Sequence, residues 1–297
     1  MALTKEIWIE SIVGNLFKDG SFMAQAVNHS EFVTNKTVHV PNAGTPPTVV
    51  KNRDTFPGTA SGRTDADVYY NIDEFSTDPI RIADAEKVEL SYDKRESIVA
   101  ASRGALAEAV GDNILLSWVP ASYDLVKTSG SGVAAHLPSQ TSTRKACVKA
   151  DILAVKKIMD KNSVPQEGRY AVLDYEMYNQ LLESLTESQA NAFLASADAQ
   201  KGTVGSIYGF GIFLRATALR CVAAGTSLAS SDAATDQAAG LFWQKDCVSV
   251  AQGETKLFES TDDPTYYGDI VSALVRAGGK YIRNDKKGVV VLAQQNA

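Results

Sequence analysis

The stretch DKRESIVAASRGALAEAVGDNILLSW, residues 93–118, has the clearest regular pattern in the chain. Apolar and small residues from Ile98 to Trp118 keep the three- and four-residue spacing of a helix that buries one face. Asp93 has a glutamate three residues later, which is the spacing of a capping box, and Pro120 ends the pattern. The sequence therefore predicts a helix over residues 93–118, roughly 39 Å long at 1.5 Å per residue.

Small side chains are dense on this predicted helix. Alanine is frequent along it, and Gly104 and Gly111 lie in its interior. Each glycine costs about 1 kcal/mol relative to alanine inside a helix. A long, thin helix with a small-residue face is expected to act as a spine against which a sheet packs closely.

The residues before the spine predict an extended β-hairpin. Residues 37–40 and residues 68–75 alternate in the manner of strands, and Pro41 is expected to close the first of them. Between them, residues 41–62 contain four prolines and three glycines and show no regular pattern. An isolated two-stranded hairpin is at best marginally stable in water, so this one is expected to need a partner surface, and hence an oligomer.

The tip of this hairpin, residues 42–64, is predicted to be a clasp between subunits. It is too polar and too rich in proline and glycine to form a core, yet it carries apolar side chains that a free loop leaves in water. Its mixed charges suit a partner surface of both signs. An amphipathic helix predicted over residues 5–18 has an apolar stripe that fits either its own domain or a neighbour. The predicted inter-subunit contact residues are Trp8, Val49, Val50, Lys51, Arg53, Phe56 and Arg63.

After the spine the pattern becomes α/β. A short helix is predicted over residues 151–161, a buried strand over residues 169–173, and a second helix that Asp174 caps. Further strands are predicted at residues 207–215, 241–243, 247–251 and 289–293, and a surface loop at residues 223–239.

Composition and charge exclude several classes of protein. The chain has 297 residues, is 44% hydrophobic and 22% charged, and has a net charge of −6, which fits a folded protein with a real core. No apolar run is long enough to span a bilayer, and charged residues near the start argue against a signal peptide. Three cysteines without a CxxC pair indicate a reducing compartment such as the cytosol. Residues 1–33 are net acidic, so this segment is not expected to attract DNA.

The sequence predicts no catalytic, cofactor or metal site. The three histidines lack the spacing of metal ligands and are expected to be solvated or hydrogen-bonded. The segment from Gly58 to Gly62 misses a nucleophile elbow by one position. Gly278-Gly279-Lys280 is similar to the end of a phosphate-binding loop but lacks the first glycine and the Ser or Thr that should follow the lysine.

A series of short motifs runs in order along nearly the whole chain. The most specific is NSVPQEGRYAVL at residues 162–173, and the others are HVPNAG (39–44), YNIDEF (70–75), ELSYDKR (89–95), IYGFGI (207–212) and YYG (266–268). Together with the arm helix around Trp8, these motifs resemble the major capsid proteins of tailed bacteriophages. The shared architecture of that family is the Hong Kong phage capsid fold.

This resemblance implies an α+β protein with the Hong Kong phage major-capsid fold, in four parts. They are an N-terminal arm (1–33), an extended β-hairpin loop (34–84), a peripheral domain with the spine helix (85–122 and 241–282) and an axial domain (123–240 and 283–297). The implied role is structural rather than enzymatic: a subunit that assembles with itself into pentamers and hexamers of an icosahedral head around double-stranded DNA.

The resemblance also implies partners and a location. A scaffolding protein and a portal are expected, decoration proteins are compatible with the fold, and the packaged DNA should be contacted weakly. No cofactor and no membrane contact are expected. The subunit is expected in the host cytoplasm during assembly and in the capsid of the virion afterwards.

Two alternatives share these sequence features. A cellular nanocompartment shell has the same fold and encloses enzyme cargo instead of DNA, so the contents of purified particles distinguish it. An uncharacterised α/β enzyme would leave the hairpin unsupported, and a monomer or dimer under all solution conditions would favour it. Lys51 lies where some relatives of the capsid family form an isopeptide bond with a neighbour's asparagine, and it also suits an ordinary ion pair.

Overall fold

The computed structural model describes residues 22–33, 36–44, 48–54, 56–57, 62–63, 65–83, 94–222 and 233–297. In these ranges the helices are α1 (Lys94–Trp118), α2 (Lys149–Lys161), α3 (Tyr175–Glu183) and α4 (Glu187–Ala195). The strands are β1 (Val27–Asn28), β2 (Thr37–Asn42), β3 (Ala66–Asn71), β4 (Asp73–Ser76), β5 (Ile80–Ala83), β6 (Asp124–Lys127), β7 (Gly132–Ala134), β8 (Thr143–Lys145), β9 (Arg169–Asp174), β10 (Gly205–Ile207), β11 (Phe210–Arg215), β12 (Leu219–Cys221), β13 (Gln237–Gln244), β14 (Val248–Asp263), β15 (Gly268–Tyr281) and β16 (Val289–Ala293). None of the described helices is long and apolar enough to cross a membrane.

A seven-stranded mixed sheet is covered on both faces. Its strands follow the order β10-β11-β9-β13-β16-β6, and β12 also pairs with β13. On one face, Phe242, Val290 and Leu292 join a buried cluster with residues of α2 and α3. On the other face, Trp243 and Val291 belong to the main core, which also contains residues of α1. Because both faces are covered, β13 and β16 are buried along their whole length.

A five-stranded sheet lies under the long helix. Its strands follow the order β1-β14-β15-β4, and β5 also pairs with β15. β14 and β15 form one long antiparallel hairpin, and α1 packs across β15 through the fully buried Ile114 and Leu115. The predicted spine helix is confirmed over residues 94–118, and Asp93, its predicted cap, lies outside the described residues.

Aromatic side chains join the two sheets. The ring centroid of Trp118, the last residue of α1, lies 5.2 Å from that of Trp243 in β13 and 5.4 Å from that of Phe22. Trp118 Nε1 donates a hydrogen bond to the carbonyl oxygen of Ser249 at 2.9 Å, and Trp243 Nε1 donates one to that of Gln25 at 2.9 Å. Both buried indole N–H groups are therefore satisfied, and the short helical turn Phe22–Gln25 is anchored where the two sheets meet.

The predicted β-hairpin is confirmed as the antiparallel pair of β2 and β3, which form a sheet of their own. Both ends of the paired strands contact the rest of the protein. The paired residues Val38 and Tyr70 are buried against Ala251 of β14, and Ser249 Oγ donates to Tyr70 Oη at 3.1 Å. At the other end of the paired strands, the side-chain amide of Asn42 donates to the carbonyl oxygen of Ile282. The paired strands are therefore attached to the body, and the exposed described residues from 48 to 65 lie beyond this attachment.

Two predictions about the hairpin strands were wrong. β2 continues through Pro41 to Asn42, because a strand with a neighbour on one side tolerates a residue without an N–H. Residues 68–75 do not form one strand. The buried Ile72 separates β3, which pairs with β2, from β4, which pairs with β15 in the five-stranded sheet.

The α/β half of the sequence was predicted better at its strand cores than at their ends. The strands at residues 169–173 and 289–293 are confirmed, as is the cap, because Asp174 Oδ1 accepts from the Met177 N–H at 2.7 Å. Residues 207–215 were wrongly predicted as one strand, since the positive φ angles of Tyr208 and Gly209 turn the chain between β10 and β11.

Three further corrections concern the long strands. Residues 247–251 are only the start of the 16-residue β14. Residues 268–281, for which no strand was predicted, form β15. Residues 237–239, predicted as part of a loop, begin β13.

The division into arm, loop, peripheral and axial domains stays a prediction. One of its boundaries, between residues 240 and 241, falls inside β13, whose two neighbours in the seven-stranded sheet are β9 and β16. The last two strands of the predicted loop, β4 and β5, belong to the five-stranded sheet with β14 and β15.

Candidate inter-subunit surface

The distal part of the β2–β3 hairpin is exposed throughout. Every described residue from 48 to 65 is exposed to solvent. The exposed fractions are 91% for Val49, 53% for Val50 and 78% for Phe56. One loop therefore holds three apolar side chains in water, an arrangement that costs free energy until another surface covers them. Trp8, the remaining apolar contact residue of the prediction, lies outside the described residues.

The charged residues of this loop are exposed as well. Arg63 Nε lies 2.5 Å from Asp65 Oδ1, and the Gly44 N–H donates to the same oxygen at 2.8 Å. The hydrogen bond from Arg63, followed by that from Gly44, lowers the pKa of Asp65. Lys51 and Arg53 are exposed on the same loop. The structure thus places the described members of the predicted contact set on one projecting segment.

An open groove of about 670 Å³ lies between α1 and the strands β4 and β5. On the helix side it is lined by small residues such as Ala105, and its apolar floor includes Phe75 and Leu106. Its strand side carries two carboxylates, Glu74 and Asp78. The groove is an apolar channel with an acidic rim.

Sequence reasoning did not find this groove. It assigned the whole small-residue face of α1 to close packing against a sheet. The structure shows close packing near Ile114 and Leu115, whereas Ala101, Ala105 and Ala109, about one to four turns earlier, are exposed. The sequence pattern did not show how far β4 and β5 extend along α1, and this extent decides which part of the helix face is covered.

Two of the three histidines contact carboxylates. His39 Nδ1 lies 2.6 Å from Asp67 Oδ2 on the hairpin surface. His136 Nε2 lies 2.8 Å from Asp174 Oδ2 in a buried pair, so this histidine is hydrogen-bonded rather than solvated. Within the described ranges, no group of three or more His, Cys, Asp and Glu residues is arranged to hold a metal ion.

The two glycines of the Gly278-Gly279-Lys280 motif serve backbone packing. Both lie inside β15. A Cβ atom on Gly279 would lie 2.7 Å from the carbonyl oxygen of Ser249 and 3.1 Å from Trp118 Nε1, and one on Gly278 would lie 3.0 Å from the carbonyl oxygen of Asn71. These glycines therefore allow close approach of other elements and do not form a phosphate-binding turn.

The three cysteines are buried and unpaired in disulfides. Burial raises the pKa of the Cys147 thiol far above its usual range, that of Cys247 to about 12 and that of Cys221 to about 11. Because the thiolate is the reactive form, all three should be inert near neutral pH.

We expect the folded subunit to resist thiol labelling. A disulfide-exchange reagent should find almost no reactive thiol in the native protein and all three after denaturation. Particles boiled in denaturant without reductant should run as single chains on a gel. A ladder of bands that reductant removes would contradict this prediction, and a ladder that survives reductant would instead indicate a cross-link through Lys51.

The structure has a spine helix across a long hairpin, a second sheet covered on both faces, and an extended β-hairpin. This combination defines the Hong Kong phage capsid fold. The predicted α+β fold class is thereby confirmed. The capsid of Ralstonia phage GP4 has this fold at 14% sequence identity and a TM-score of 0.64, over 93% of this chain and 88% of that chain. A structure from Mycobacterium phage Che8 is 20% identical with a TM-score of 0.62, over 92% of this chain and 90% of that one.

A virus-like particle from Pyrococcus furiosus is also similar, with 9% identity and a TM-score of 0.57 over 97% of this chain and 99% of that chain. No protein-family model and no curated protein sequence matches the chain. At these identities the likeness concerns the fold.

Proposed function

We propose that this chain is the major capsid subunit of a tailed phage, a structural protein that assembles with copies of itself into pentamers and hexamers of a closed shell. The observation that carries the proposal is the exposure of Val49, Val50 and Phe56 on the loop that joins β2 and β3. A monomer leaves that apolar surface in water, whereas a shell covers it in every subunit. The similarity to capsid structures in fold supports the same role.

The clasp of one subunit, residues 42–64, would dock in the groove beside α1 of the next subunit. The apolar side chains of the clasp match the apolar floor around Phe75 and Leu106. Its basic Lys51 and Arg53 match the acidic rim formed by Glu74 and Asp78. Arg276 already holds Glu74 at 3.1 Å, which leaves Asp78 as the simpler partner for a basic residue of the clasp.

The shell would enclose double-stranded DNA that a motor loads, because the net charge of −6 gives the subunit little affinity for phosphate. A scaffolding protein and a portal are the partners expected of such a head, and decoration proteins are compatible with it. Assembly would take place in the host cytoplasm, and the finished location would be the virion.

The test is to express the chain with its phage partners and examine the products by sedimentation and electron microscopy. Closed particles hundreds of ångströms across are expected, because very many subunits of domain size must pack into the shell. Small discrete oligomers alone would overturn the proposal and favour an enzyme. Particles that contain folded cargo protein in place of DNA would assign the chain to the cellular nanocompartment shells instead.

A further inference from the structure

The long hairpin of β14 and β15 carries opposite charges at its two ends. From Leu257 to Val275 the sequence has four acidic residues and no basic one. From Lys280 to Lys287 it has four basic residues and one acidic residue. The 14 residues of β15 connect these regions, so the two ends lie roughly 46 Å apart at about 3.3 Å per residue.

The acidic end is a turn that exposes two aromatic rings. Tyr266 is 51% exposed and Tyr267 is 78% exposed. The turn is shaped by Asp263, whose Oδ1 accepts from the Thr265 N–H at 2.8 Å, and this bond lowers the pKa of that carboxyl. Asp262 beside it is exposed and lies near the end of β14, where the turn begins. Exposed tyrosines beside charged groups are typical of protein–protein contact surfaces.

The basic end borders an open cavity of about 370 Å³ beyond the C-terminus of α1. Three basic side chains line this cavity, Lys280, Arg283 and Lys286, against one acidic side chain, Asp67. Tyr69 lies in the same wall, is 61% exposed, and has Lys280 Nζ 5.7 Å from its ring centroid.

Local pairing removes only part of this positive charge. Arg283 is neutralised by Asp285, since Nη2 and Oδ2 are 2.5 Å apart. Asp67, which lies 2.6 Å from His39, contributes one negative charge, and the C-terminus of α1 adds the equivalent of about half of another. Together these negative charges are smaller than the positive charge of Lys280 and Lys286. The cavity is therefore an open site that attracts an anionic group.

A second copy of the chain fits this site better than other anions. Its hairpin turn brings carboxylates and two exposed aromatic rings, which match a cavity with basic residues and an exposed Tyr69 in its wall. One chain cannot fill its own cavity, because the turn lies at the opposite end of the same strand. The contact must be head-to-tail, the type of interface that generates rings when the rotation closes.

We propose that the acidic Tyr266-Tyr267 turn of one subunit docks in the Lys280–Lys286 cavity of the next subunit. This inference rests on the proposed function, because it names a second self-contact of the same shell. It differs from the clasp contact in its chemistry. The clasp contact is stabilised by apolar burial, whereas the contact of the turn with the cavity is stabilised by charge. The turn contact should therefore weaken as added salt shortens the screening length from about 10 Å at 0.1 M to about 3 Å at 1 M.

The test is a charge swap. Lys286→Glu in the cavity and Asp262→Lys in the turn should each reduce the yield of particles at least tenfold at low salt. The double variant should restore most of the yield, because the two charges are then exchanged. Lys is compatible with position 262, where φ is 51°, since Lys286 itself has a φ of 55°. Lys157→Glu, a change of equal charge on the exposed side of α2, serves as the control and should assemble normally.

Thermal unfolding of the isolated subunits should be unchanged in all variants, which separates assembly from folding. If wild-type protein forms particles and both single variants do as well, the inference fails while the proposed function stands. If wild-type protein forms none, the proposed function itself fails. A Lys286→Glu defect that Asp262→Lys does not rescue, together with lost binding of a DNA oligonucleotide, would assign the cavity to phosphate groups and overturn the inference.

Discussion

Phe56→Ala is expected to leave the stability of the isolated subunit nearly unchanged and to prevent stable particles from forming. The side chain is 78% exposed, so its removal should change the free energy of unfolding by less than about 0.5 kcal/mol. Burying a phenylalanine against a neighbour contributes roughly 1.5–3 kcal/mol per contact. At about 1.4 kcal/mol for each factor of ten, every inter-subunit contact weakens roughly tenfold or more, and the effect is repeated over the whole shell.

Two matched variants make this prediction specific. Phe56→Leu keeps most of the apolar surface and should retain assembly. Ala105→Phe fills the groove from the exposed side of α1 and should reproduce the assembly defect from the opposite partner. The measurements are denaturant unfolding of the subunit and sedimentation of assembled material. A Phe56→Ala protein that unfolds early as a monomer but forms normal shells would show that the loop belongs to its own core.

The sequence predicted the parts of the fold that local patterns define. The spine helix, the strand at residues 289–293 and the Asp174 cap each rest on a periodicity or a capping residue within a few positions. The clasp residues could be proposed because a segment rich in proline and glycine does not form a core of its own. Phe56 and its apolar neighbours are stabilised only when another surface buries them. These are properties of one segment and need no knowledge of what lies beside it.

The long hairpin was missed because its pattern depends on distant partners. In the middle of β15, alternate residues are buried, namely Val271, Ala273, Val275 and Ala277, and two of these four are alanines that no hydrophobic alternation reveals. They are buried because α1 lies close above them, and α1 comes from residues about 160 positions earlier in the chain. The charged cavity was missed for the same reason, since it is formed by elements that are far apart in sequence.

The close contact between α1 and β15 also predicts how two glycines of the chain should differ. Gly279→Ala should destabilise the subunit by about 1–3 kcal/mol, as expected for an extra methyl group in a packed core. The new Cβ would lie 2.7 Å from the carbonyl oxygen of Ser249, which is backbone and cannot move cheaply. The same oxygen accepts the buried hydrogen bond from Trp118 Nε1, so relieving the clash would lengthen that bond as well.

Gly104→Ala is the matched control, and it should change stability in the opposite direction. Gly104 lies in an exposed part of α1, and a Cβ there would meet nothing within 4 Å. Because glycine costs about 1 kcal/mol relative to alanine inside a helix, this variant should be more stable by up to that amount. Urea unfolding of the isolated subunits, with the slope of each transition compared, measures both effects. If Gly279→Ala were as stable as the wild type, the Trp118 end of α1 would have to stand further from β15 than the structure shows. The spine would then not be held by close backbone packing. If the two variants instead change the free energy of unfolding in opposite directions, the close packing lies at the Trp118 end, and the middle of α1 is open beside the groove.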